Sequence, residues 1–286
     1  MTIFAKNTKE KVDNFINHPS HALALSGVSG AGKYRVAQHI ASDIFNISEE
    51  KISASPYIKI ISATGKDAIA TVREAQEFLQ LTVPGKAVFR RCIIIADADN
   101  LGHEAQNALL KTLEEPPEDT VIILTISDEN KLVDTVRSRL NWLRVYPLSQ
   151  EEALATLQDT YPKNEIVKAW HISDGAVGLL INILQDNEAH PLVAAIEQAK
   201  GTLKQSAYER LANIDPLLKS KEFNLLLFLD ATHRLLRAAL SSAATKGDKH
   251  QTQVLAGQIK NTLKAKEYVQ KNVQPKLVLT ELFYSL

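Results

Sequence analysis

The stretch Ile93 to Pro117, IIIADADNLGHEAQNALLKTLEEPP, constrains this chain more than any other. Its three consecutive isoleucines, Ile93 to Ile95, suit a strand covered on both faces, because no polar residue alternates with them. Asp97 follows just past the strand end. Ala105, Ala108, Leu109, Thr112 and Leu113 recur at spacings of three and four and predict an amphipathic helix. Pro116 and Pro117 stop it, since proline lacks an amide proton and clashes with the preceding turn. A carboxylate at the carboxyl end of a buried parallel strand is a usual place to hold a metal-bound phosphate. A phosphate-cradling loop is therefore expected upstream.

That loop is present. His21 to Ser26, HALALS, predicts a buried strand, and Val36, Ile40 and Ile44 predict a helix beyond it. Between them Gly27-Val-Ser-Gly-Ala-Gly32-Lys33 matches G-x4-G-K in the strand-to-helix context the motif needs. Gly27, Gly30 and Gly32 let backbone amides turn inward around a phosphate. The helix amino terminus and Lys33 add positive charge. Two positions depart from a hydrolytic site. The motif wants Ser or Thr after the lysine as a magnesium ligand, and Tyr34 carries its hydroxyl on a rigid ring instead. Hydrolysis usually needs Glu after the strand-end acid to orient water; here stands Ala98, and nearby Asp99 is shorter. The two losses argue against intrinsic ATP hydrolysis. The glycine frame and Lys33 leave ATP or ADP binding open.

Elsewhere the pattern is α/β. A helix is predicted from Thr8 to Asn17, a strand from Tyr57 to Ile61, and a helix from Asp67 to Leu81. Further strands are expected at Val121 to Ile126 and Trp142 to Tyr146, with a short helix from Asn130 to Arg139 between them. Alternation of this kind implies a parallel sheet with helices on both faces. After Pro147 the texture becomes helical. Ser149 to Glu152 has capping-box spacing, SDGAVG breaks the next helical run, and His190-Pro191 is a boundary. Asn224 to Leu240 is apolar nearly all round and predicts the centre of a bundle. Thr245 to His250 reads as a surface loop. Three domains are expected: an α/β domain at 1–147, a small helical domain at 148–189, and a helical bundle at 190–286.

Charge and cysteine usage narrow the function. Lys plus Arg and Asp plus Glu balance at 33 each, which speaks against a freestanding nucleic-acid binder. With one cysteine, Cys92, an internal disulfide and a multi-thiolate zinc site are excluded, and Cys92 reads as a small core residue. The eight histidines show no ligand spacing, so no metal site is expected. The opening residues lack a signal peptide and no apolar run is long enough for a membrane, so a cytoplasmic chain with no membrane partner is expected. Arg90-Arg91 reads as a solvated strand entry, and Trp142 and Trp170 read as packing residues.

HALALSGVSGAGK, followed by the long run from Ile93 to Arg139, resembles the bacterial DNA polymerase III clamp-loader subunits, AAA+ proteins of the gamma/tau and delta-prime type. Ala105 to Pro117, AQNALLKTLEEPP, is the most specific part. The resemblance implies an AAA+ P-loop domain, a helical lid and a helical collar. Gly27, Gly30, Gly32 and Lys33 match its phosphate loop and Asp97 its Walker B acid. Ser127, or else Thr125, falls at the first sensor. Ser138-Arg139-Leu140 stands where the family has Ser-Arg-Cys, so Arg139 matches the arginine that enters a neighbour's ATP site. Gly178 stands where the second-sensor arginine would align. A cysteine zinc module common in the family is missing, so no zinc is expected. The pattern of losses fits a non-hydrolysing delta-prime-type subunit. Its implied partners are gamma/tau-like and delta-like subunits, the sliding clamp, and primed DNA through the complex. The competing expectation is an active gamma/tau-type ATPase or another AAA+ motor.

Overall fold

The computed structural model describes residues 2–63, 68–80, 83–85 and 87–286. The chain divides into two compact units. One comprises the chain up to Ser149 together with Ala176–Gly178, and the other comprises Gln150–Gly175 and Leu179–Leu286. The first contains α1 (Lys6–Asn17), β1 (Ala22–Ser26), α2 (Lys33–Phe45), β2 (Ile58–Ser62), α3 (Ala68–Gln80), β3 (Arg91–Ala96), α4 (His103–Glu114), β4 (Thr120–Ile126), α5 (Asp134–Arg137) and β5 (Asn141–Arg144). The strands form one parallel sheet in the order β2-β3-β4-β1-β5.

The isoleucine run behaves as its sequence demands. Ile93 and Ile95 point to one face and pack with Ala105, Leu109 and Leu113 of α4 and with Val72, Ala75 and Phe78 of α3. Ile94 points to the other and joins Val36 and Ile40 of α2 and Val12 and Phe15 of α1. Period-two alternation within an all-apolar strand thus feeds two cores. Cys92 is fully buried in the second of these, and burial pushes its thiol pKa far up.

Several expectations shift in detail. The residues Asp67 and Leu81, expected as the ends of α3, lie outside the described residues. The helix expected from Asn130 to Arg139 is split. A 3-10 turn covers Glu129–Lys131, started by the Asp128 carboxylate accepting from the Asn130 amide at 3.0 Å. The chain is then extended at Leu132 and Val133, because the Val133 amide donates out of the helix to Gln106 Oε1 at 2.8 Å. Arg91 is not solvated. It is buried, and its Nη2 and Nε donate to Asp119 Oδ1 at 2.6 and 3.2 Å while Nη1 donates to Leu79 O. Arg90 pairs with the same carboxylate at 2.9 Å. Burial alone would raise the Asp119 pKa, but the Arg91 hydrogen bonds and the two cationic neighbours hold it low.

The second unit is helical: α6 (Gln150–Leu157), α7 (Lys163–Ser173), α8 (Val177–Leu184, its first two residues assigned to the first unit), α9 (Pro191–Lys204), α10 (Ala207–Ala212), α11 (Ile214–Lys219), α12 (Leu225–Lys246), α13 (Lys249–Gln270) and α14 (Pro275–Ser285). The helices expected as a separate lid and bundle, α6 to α14, fall in this unit apart from those two residues. Helix α12 is central, packing on α7, α9 and α13. Asn224 caps it, accepting from the Leu227 amide. Asp230 on α12 accepts from Arg234 Nε at 2.8 Å and Lys266 Nζ of α13 at 2.9 Å, while Arg234 also donates to Ser173 O at the end of α7. The loop expected from Thr245 to His250 shrinks to a joint: Gly247 closes α12 with φ +73° and the Asp248 side chain caps α13.

Gln106 is the polar residue the helical pattern concealed. It is buried on the apolar face of α4, where Nε2 donates to Leu101 O at 2.8 Å and Lys131 O at 2.9 Å and Oε1 accepts from Val133. Replacement by alanine would strand three backbone groups, those of Leu101, Lys131 and Val133, and leave a void. Gln106→Ala is therefore expected to cost about 2–3 kcal/mol, read as a lowered urea midpoint, with Gln106→Glu no better because a carboxylate cannot donate.

Candidate functional site

The sheet register sets the site. β1, β3 and β4 end together at Ser26, Ala96 and Ile126, so the segments after them leave from one edge. Gly27 continues β1, its amide donating to Ile126 O at 3.2 Å. A Cβ on Gly27 would lie 2.8 Å from Val145 O, so only glycine fits there. Gly30 and Gly32 hold φ of +81° and +88°, the left-handed region where glycine carries no side-chain penalty. Helix α2 starts at Lys33. The chain therefore builds the turn that its G-x4-G-K pattern specifies.

Lys33 is buried, and its ammonium is already engaged. Nζ donates to Gly27 O at 2.9 Å, Val28 O at 3.1 Å and Ser127 Oγ at 2.9 Å. All three of its protons are matched by acceptors of this chain. Burial lowers its pKa, opposed by the charges of Asp97 and Asp99. Ser127, expected at the first sensor, thus meets the phosphate loop through Lys33. Thr125, the alternative, instead accepts from the Asp97 amide at 2.9 Å.

Past β3, Asp97 takes a left-handed conformation, φ +53°. This kink turns Ala98 inward, where it is fully buried among Ile95, Leu101 and Ala105. The position after the strand-end acid, where a hydrolytic site would want a water-orienting Glu, therefore faces core. Asp99 does not replace it. Its carboxylate is buried and accepts from the Ser127 and Asp128 amides, both at 3.2 Å. The Tyr34 hydroxyl accepts from Gln38 Nε2 at 3.4 Å on the exposed flank of α2. Tyr34 directly after Lys33 and Ala98 directly after Asp97 thus supply neither the short hydroxyl nor the carboxylate that a hydrolysable magnesium nucleotide draws on at those two positions.

Gly178, expected at the second-sensor position, packs directly on the loop. A Cβ there would lie 2.9 Å from Gly30 O and 3.0 Å from both N and Cα of Gly32. A side chain at this position could not enter without moving backbone. Arg139 is held elsewhere in the unit. Its Nη2 pairs with Glu114 Oε1 at 2.6 Å, and Nη1 donates to Thr135 O at 2.7 Å. The structure thus brings Gly27, Gly30, Gly32, Lys33, Asp97 and Ser127 together, and sets Arg139 apart on a partly exposed surface.

A family model described as DNA polymerase III, delta subunit, matches residues 5–149, the segment that carries all of these features but Gly178. The chain belongs to that family. It is a clamp-loader-like AAA+ chain, similar to the replication factor C small subunit of Sulfurisphaera tokodaii, with 26% identity over 65% of this chain and 58% of that protein. It is also similar to the DNA polymerase III subunit gamma of Buchnera aphidicola subsp. Schizaphis graminum, with 31% identity over 50% of this chain and 43% of that protein. The chain spans less than two thirds of the length of either curated relative. A DNA polymerase III gamma subunit-related protein from Thermotoga maritima shares the fold, with a TM-score of 0.54 at 18% identity over 96% of this chain and 97% of that one. Among the described residues no helix is long and apolar enough to cross a membrane.

In this member of the delta subunit family, Lys33 links the phosphate loop to Ser127 after β4. Lys33→Ala should lower the stability of the nucleotide-free chain by about 1–2 kcal/mol, since Gly27 O, Val28 O and Ser127 Oγ lose their shared donor. The pH dependence has a definite sign. With its folded pKa below the ordinary 10.5, Lys33 contributes fully above that value, and the contribution is lost as pH falls through the lower folded value. The difference in denaturation midpoint between wild type and Lys33→Ala should widen as pH approaches about 10.5.

Proposed function

We propose that this chain is a delta-prime-type, non-hydrolysing subunit of a clamp loader that places the sliding clamp on primed DNA. In this reading it sits in a hetero-oligomeric ring with gamma/tau-like and delta-like subunits. Residues 148–189 serve as a lid and 190–286 as a collar that holds the ring together. Its own phosphate loop is scaffold, binding ATP or ADP weakly or not at all, and no zinc is used. Arg139 acts in trans, stabilising the charge that develops as a neighbour's ATP is cleaved. The protein works in the cytoplasm without a membrane partner.

The observation that carries this reading is the state of Lys33, whose protons are all taken by Gly27, Val28 and Ser127. The inward turn of Ala98 and the commitment of Asp99 to backbone amides support it. A second reading, an active gamma/tau-type ATPase or other AAA+ motor, draws on the intact glycine turn and the likeness to a gamma subunit. The purified chain is expected to show no ATP hydrolysis above background. A rate that Lys33→Ala abolishes would establish the second reading instead.

Arg139 gives the sharper test. Arginine fingers are worth about 10³–10⁵ in rate at the site they serve. In a loader reconstituted with gamma-like and delta-like subunits, Arg139→Ala should silence the one ATP site it feeds while the subunits still co-elute. Unchanged steady-state ATPase would remove the trans role.

A further inference from the structure

Arg139 has a carboxylate partner that the clamp-loader reading does not call for. Glu114 is the last residue of α4, and its Oε1 lies 2.6 Å from Arg139 Nη2. An acid at a helix carboxyl end sits against the partial negative charge of the terminal carbonyls, an unfavourable place for it without a cation nearby. Arg139 supplies that cation. The same guanidinium is fixed from the other side, Nη1 donating to Thr135 O at 2.7 Å and to Ser138 Oγ at 3.4 Å. The side chains of Arg139 and Glu114 are 35% and 47% exposed. The pair is therefore at the surface, reachable by another protein, yet its Nη2 edge is occupied. A guanidinium presents its donors in a rigid fork suited to a carboxylate or a phosphate. Nη2 cannot bond fully to both.

We infer that Glu114 is a positioning residue that holds Arg139 in place of a phosphate, and that a neighbour's nucleotide must displace this carboxylate to recruit the arginine. The inference rests on the trans role proposed for Arg139. Thr135 and Ser138 keep the guanidinium anchored during the exchange, so the arginine pivots between acceptors instead of searching from a disordered state. Because the pair is exposed, its hold is modest and salt-sensitive. The carboxylate thus tunes how readily the finger engages without deciding whether it can.

The test uses the full chain in a reconstituted loader, comparing wild type, Glu114→Gln, Arg139→Ala and the double variant by DNA-stimulated ATPase. Glu114→Gln should raise the rate per assembled loader by about two- to five-fold at low salt, the range open to an exposed pair. The gain should shrink as salt rises. In the Arg139→Ala background Glu114→Gln should change nothing. In the isolated chain, labelling by an arginine-selective dicarbonyl should increase at Arg139 in Glu114→Gln, with Arg137 as internal reference, which separates the pair from any effect on assembly. If Arg139→Ala lowers the rate but Glu114→Gln does not raise it, or acts equally without Arg139, the inference is overturned and the trans role stands. If Arg139→Ala itself leaves the rate unchanged, the trans role fails and Glu114 has no finger to hold.

Discussion

The ion–dipole cluster at Lys33 joins two of the three segments that leave one edge of the sheet, and a separate hydrogen bond ties in the third. Gly27 and Val28 follow β1, Ser127 follows β4, and Asp97 follows β3 with its amide on Thr125. A buried ammonium needs acceptors for each of its protons. Here the chain supplies them all. The parallel register of β1, β3 and β4 makes this possible, because it brings their ends to one level.

A second economy follows at Asp97. The left-handed turn there is uncommon for a non-glycine residue and costs of order 1 kcal/mol or more. It turns Ala98 into the core and aims Asp99 at the two amides that follow β4. One local kink therefore both removes a side-chain position from the loop and closes the strand ends with a carboxylate. The segments after β3 and β4 are thereby cross-linked at the strand ends.

Much of this was legible in the residues. The isoleucine run, the apolar strands and the glycine turn depend on local pattern, and local pattern is what a sequence displays. The amphipathic spacing of α4 likewise found its buried face, except at Gln106. That exception has a physical cause. Gln106 is polar by composition and buried by its partners, and those partners, Lys131 and Val133, lie far along the chain. Arg91 was misread for the same reason, since its acceptor Asp119 is distant in sequence. The site divides in the same way. Its residue types were visible, including the departures at Tyr34 and Ala98, while the saturation of Lys33, the orientation of Ala98 and the pairing of Arg139 with Glu114 arise only when distant segments meet.

Cys92 has a practical consequence of its own. It is the sole thiol of the chain, sits fully enclosed between helices and sheet, and is held protonated by that enclosure. Thiolate is the reactive form toward maleimides and oxidants. The native chain is therefore close to silent toward such reagents, and a cysteine introduced at an exposed position would carry a fluorophore or spin probe as a single reporter without removal of the natural one.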